Sequence, residues 1–228
     1  MAIVYRRYML PIVIGLFIIG IAMMSVVAHH QYWLLSLVFV VLAMLPFFLK
    51  YEAKKMQSRE VMMIVMLIAI AAVSRVPFAA IPNVLPMTFI IIVSGLVFGA
   101  QSGFMIGALS AIVSNMFIGQ GPWTPWQMFC WGMIGCAAGL LRNTWWMRTM
   151  WGKVIFGFAA GILFGWVMNL VDVIARMADI SWGAIVTIYA AGVIFDLLHA
   201  GSNVLFILLF SKSWIRILER FKRKYGLT

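Results

Sequence analysis

The chain has 228 residues, of which 65% are hydrophobic and only 10% charged, with a mean hydropathy of +1.06. That balance excludes a water-soluble globule, and apolar runs follow one another almost end to end, so most of the surface must meet lipid. The net charge of +11 would suit a nucleic-acid partner, but the placement of the charges argues for topology and against nucleic acid.

Spanning a hydrocarbon core of about 30 Å takes roughly 20 apolar residues in a helix. Taken in chain order, apolar runs and breakers give eight candidate spans at 9–28, 33–49, 61–76, 87–100, 103–118, 127–141, 154–171 and 183–210. The fold class expected is an all-α membrane protein. The first run follows Tyr5-Arg6-Arg7-Tyr8, and with no cleavage site leading into a polar domain it reads as a retained helix rather than a signal peptide. With the N-terminus inside, the segments on the cytoplasmic side are 1–8, Lys50 to Glu60, a tight turn at Gln101-Ser102, Arg142 to Lys153, and the tail from Ser211. They hold 15 of the 17 Lys and Arg residues, leaving only Arg75 and Arg176 outside. Positive charge collects on cytoplasmic flanks, so both termini are expected in the cytoplasm of a multi-pass plasma-membrane protein.

The charged linker divides the chain into an N-terminal transmembrane hairpin with its linker (1–58), a six-helix bundle (59–212) and a basic tail (213–228). In the bundle, small residues recur at four-residue spacing: Gly95, Gly99, Gly103 and Gly107, then Gly135 and Gly139, then Gly157, Gly161 and Gly165. Such stripes let helices approach closely where packing replaces the hydrophobic effect as the glue. Trp123, Trp126, Trp145, Trp146, Trp151, Trp182 and Trp214 fall near span ends, as interfacial anchors do, and the tail reads as an interfacial helix or a basic stop beside membrane lipid. Cys130 and Cys136 stand six apart in one apolar segment and read as packing residues.

Polar groups inside a membrane protein are expensive, so their positions carry the most information. The connection from Ser74-Arg75 through Pro77, Pro82-Asn83 and Pro86 to Thr88 is stiff, non-helical and apolar enough to pack onto the bundle. The next, Ser114-Asn115 through Gly119-Gln120-Gly121-Pro122-Trp123-Thr124-Pro125-Trp126-Gln127, joins two Trp to three amides, a mixture suited either to a Trp belt or to holding a ring-containing solute. Asn169, Asp172 and Arg176 share one helical face, where Asp172 and Arg176 are spaced to neutralise each other. Asp196, His199 and Asn203 form a second polar stripe, spaced either for interhelical hydrogen bonds or for lining a cavity. His29 and His30 lie in a short turn. No phosphate-binding Gly-rich loop, catalytic metal motif or nucleophile elbow is present, so neither enzyme chemistry nor a cofactor is expected.

The stretches Ser74-Arg75-Val76-Pro77-Phe78, Pro82-Asn83-Val84-Leu85-Pro86-Met87-Thr88, Gly95-Leu96-Val97-Phe98-Gly99, Gly103-Phe104-Met105-Ile106-Gly107-Ala108 and Gly119 through Met128 resemble the membrane-embedded substrate-binding subunits, or S-components, of energy-coupling factor vitamin transporters. The resemblance spans roughly residues 60–212 and is nearest to members assigned to cobalamin uptake. It implies a bundle that captures a vitamin outside, docks on one transmembrane coupling protein with two ATPase subunits, and topples to release it inside. The substrate site would comprise Arg75, Asn83, Trp123, Trp126, Asn169, Asp172, Asp196, His199 and Asn203. The family's Ala-x-x-x-Ala docking signature is imperfect here, Ala69 being followed by Val73 with Ala71 and Ala72 between, so Ala69, Ala72 and Val73 are the expected docking residues. The alternative is a proton-coupled secondary transporter or channel using Asp196 and His199.

Overall fold

A computed structural model of the chain describes residues 32–52, 58–176 and 180–226. The first expected span, His29 and His30, and residues 53–57 of the linker lie outside these residues. Eight helices follow in order: α1 Tyr32–Glu52, α2 Ser58–Ser74, α3 Pro86–Phe98, α4 Ala100–Ile118, α5 Thr124–Leu141, the short α6 Trp145–Arg148, α7 Met150–Ala175 and α8 Trp182–Lys224, with a 3-10 turn at Val76–Phe78. The protein is an all-α multi-pass membrane protein. Among the described residues four stretches are long and apolar enough to cross a bilayer: Ser58–Phe78, Ala100–Ile118, Met150–Ala175 and Trp182–Lys224. Val40–Leu49 in α1 and Pro86–Phe98 are shorter apolar helices. The described residues thus hold four long apolar helices and shorter ones, and they do not test the count of eight spans.

The short α3 has a local cause. Pro86 starts it at a position where a missing N–H costs nothing. Gly99, at φ +90°, ends it and starts α4 one residue later. The turn expected at Gln101-Ser102 is thus made by Gly99, the residue type that takes a left-handed backbone without penalty, and Gln101 and Ser102 already lie in α4.

Bundle packing follows the small residues. A Cβ placed on Gly95 or Gly103 would meet the Gly135 carbonyl oxygen, and one on Gly107 would meet that of Trp131, so α3, α4 and α5 touch backbone to backbone. On α7, Gly161 lies against the Ala200 backbone of α8, while Gly157 and Gly165 make room for the Ile207 and Asp196 side chains. In α2, Met63, Ile64, Leu67, Ile68, Ala71 and Ala72 turn inward, while Met62, Val65, Met66, Ala69, Ile70 and Val73 are exposed. A helix apolar on every side is what lipid demands. Of the expected docking residues, Ala69 and Val73 are on the open face, and Ala72 is fully buried in the bundle. The N-terminal α1 packs on α4, α5 and α7, with Phe47 stacked 4.0 Å from Phe104.

At 43 residues, α8 is about 65 Å long at 1.5 Å per residue, roughly twice the hydrocarbon thickness. As far as Lys224 the expected basic tail is its unbroken continuation, anchored by buried Leu218 and by Lys222 Nζ, which donates to the Val97 carbonyl at 3.2 Å.

Candidate functional site

The last residues of α2 and α4 and the first turns of α3 and α5 meet at one end of the bundle, and there the polar residues converge. Arg75, just past α2, is 9% exposed. Its Nη1 donates to Ser114 Oγ at 2.7 Å and to Asn115 Oδ1 at 3.0 Å, both on the last turn of α4. Asn115 Nδ2 in turn donates to Thr124 Oγ1 at 3.0 Å and to Gln127 Oε1 at 2.8 Å on α5. Thr124 Oγ1 donates to Gln120 Oε1 at 3.1 Å, and Gln120 Nε2 to the Ile112 carbonyl at 3.1 Å. The three amides of the second loop thus bond largely to one another and hold the arginine. Thr124, Gln127 and Trp131 stand at i, i+3 and i+7, one face of α5.

Below the arginine lies Trp131, fully buried, with the guanidinium carbon 5.1 Å from its ring centroid. Its Nε1 donates to Thr88 Oγ1 at 3.0 Å, and Thr88 Oγ1 lies 2.8 Å from His199 Nε2. Phe164 closes the chain, its ring 4.5 Å from that of Trp131 and 5.0 Å, edge to face, from His199. Thr88 and His199 are 0% and 1% exposed. Five helices therefore contribute to one buried string running from Asn115 through Arg75, Trp131 and Thr88 to His199. It contains a formal cation, and among the described residues no carboxylate pairs with Arg75. Arg75 Nε is buried with no partner at all.

The other expected site residues scatter around this core. Asn203 Nδ2 donates to the Gly157 carbonyl at 2.9 Å, tying α8 to α7, and Asn169 Nδ2 reaches Asp196 Oδ2 at 3.5 Å where Gly165 and Gly192 let the helices close. Asp172 and Arg176 are exposed, and among the described residues no ion pair joins them, so the mutual neutralisation expected of them is not seen there. Asn83 is half-buried at φ +54°, a left-handed position that asparagine tolerates. Trp123 is 47% exposed at the loop rim. Trp126, one residue off the polar face of α5, packs instead against Val40 of α1 and Val171 of α7. The loop between α2 and α3 is pinned to α8 by Leu85 N donating to Ser202 Oγ at 3.2 Å and by Phe78 edge-on to Phe206 at 5.6 Å.

Trp131, Phe164 and Ser202 were not among the expected site residues. Trp131 did leave a signal, since it is a tryptophan in the middle of a span instead of at its end.

Residues 54–214 match the model of a family described as "ECF transporter, substrate-specific component". No curated protein and no solved structure is matched significantly.

Proposed function

Because the chain belongs to the family of substrate-specific components of energy-coupling factor (ECF) transporters, a transporter subunit and not an enzyme, we propose that it captures a vitamin outside the cell at the Arg75 end of the bundle. Members of the family bind a substrate and pair with an energising module. Here that module is proposed to be a transmembrane coupling protein with two ATPases, the loaded subunit toppling on docking. Both termini are placed in the cytoplasm, the orientation that puts the basic end inside.

The observation that carries this reading is Arg75. A cation held in a membrane bundle without a carboxylate is costly. Here its position is enforced by two hydrogen bonds and an aromatic face, and Nε is left over. Such a group is completed by a solute presenting an anionic or carbonyl-rich edge. Cobalamin or a cobamide precursor is the favoured substrate. What favours it is the resemblance of the two loops to cobalamin-type members, with Arg75 and the exposed rim indole of Trp123 as the groups that would meet it. Asn83, Asn169 and Asp196 are placed around the ligand, with His199 and Asn203 holding the wall behind it. Ala69 and Val73 are placed in the docking face.

Reconstitution tests it. Liposomes containing the chain with its coupling module and internal ATP should accumulate the vitamin, and liposomes with the chain alone should not. Uptake by the chain alone, driven by a pH gradient, would replace this reading with the proton-coupled one.

A further inference from the structure

The opposite end of the bundle holds a cavity of about 460 Å³ between the end of α3, the turn from α5 to α6, and the extension of α8, lined by Leu96, Val97, Arg142, Asn143, Arg148, Glu219 and Lys222. Three cations against one carboxylate leave it two positive charges. Arg142 and Lys222 are half-buried in its wall. Lys222 is fixed by its bond to the Val97 carbonyl, and Arg142 lies against Gly99, where a Cβ would come within 2.9 Å of its Nη1. Among the described residues no carboxylate pairs with Arg142 or Arg148. Close by, Trp145 and Trp151 are 82% and 72% exposed. Exposed indoles beside a basic cavity mark the headgroup level of a bilayer.

We infer that this cavity binds the phosphodiester headgroup of an anionic phospholipid. Arg142 and Arg148 take the phosphate oxygens, the guanidinium fork matching that geometry, while Lys222 adds charge from the α8 side. Glu219 at the rim opposes the anion and weakens the site. The substrate reading enters only through orientation, which puts the cavity in the inner leaflet. A lipid held there would brace the α8 extension against the end of α3.

Native mass spectrometry of the full chain, purified in detergent and offered phosphatidylglycerol and phosphatidylcholine together, tests the site. Phosphatidylglycerol should be retained preferentially. Arg142→Gln and Arg148→Gln should each reduce that preference about fivefold, the equivalent of roughly 1 kcal/mol per basic residue. Glu219→Gln, which removes the opposing charge, should raise it. Equal retention of the two lipids, or a preference untouched by the arginine variants, would overturn the inference. Displacement of the lipid by excess inorganic phosphate would overturn it too, in favour of a soluble phosphate ligand. Corrinoid binding measured on the same samples separates the two proposals: if it is lost while lipid preference persists, only the substrate reading fails, and the converse result removes only the lipid site.

Discussion

Arg75 carries more of the functional argument than any other side chain. Two acceptors on α4 and the Trp131 ring fix its direction, so Arg75→Ala should remove a charge-assisted contact to the ligand without creating an unpaired carboxylate. A loss of about 2 kcal/mol, roughly thirtyfold in Kd, is expected in a binding titration, with the folded protein still obtained. Trp131→Phe keeps an aromatic face under the guanidinium but loses the bond to Thr88. It should cost about 1 kcal/mol of stability, read as a lower Tm in detergent. Arg75 was legible in the sequence because it is one of two basic residues away from the basic flanks. Trp126 stands apart from the polar face for a geometric reason. It is one residue from Gln127, a rotation of about 100° on a helix, and that rotation turns it towards α1 and α7. The amides of the second loop were legible as a group, but whether they meet a ligand or each other depends on side-chain distances that composition does not contain.

At the scale of helices, the glycine stripes decide how the bundle closes. Gly135 is a demanding position on two sides: a Cβ there would run into the Gly103 carbonyl, and its own carbonyl oxygen meets Gly95 and Gly103. Gly135→Val should destabilise the protein by about 3 kcal/mol, the upper range for overpacking a tight interface, and the thermal transition in detergent should fall accordingly. An unchanged transition would contradict the backbone contact of α4 with α5. The stripes were readable from spacing alone, since i, i+4 repeats of small residues have few other uses in lipid. The boundaries were less readable. Apolar content does not distinguish a residue that ends a helix from one inside it, so the turn was expected at Gln101-Ser102 when Gly99 makes it. Likewise the change from apolar to basic composition after Ser211 does not mark the end of α8, which runs on to Lys224.

For the whole molecule, sequence and family agree on a multi-pass substrate-specific component, while charge asymmetry supplies the proposed orientation. Single cysteines test that orientation, because the native Cys130 and Cys136 are buried. Ile81→Cys, on the exposed loop, should react with an impermeant maleimide added outside intact cells, and Trp145→Cys only after the cells are opened. What was not legible at this scale is the joining of both loops to His199 of α8 through one mid-span tryptophan, because that string brings together residues 111 positions apart. The central claim is that this junction, headed by Arg75, receives a vitamin. Titration calorimetry of the detergent-purified chain and its Arg75→Ala variant with cobalamin and cobinamide, with riboflavin, thiamin, biotin and folate as controls, tests it most directly. Tight one-to-one corrinoid binding by the native chain, weakened about thirtyfold in the variant, is the predicted result, whereas no binding of any vitamin, or equal affinity in the two proteins, would contradict it.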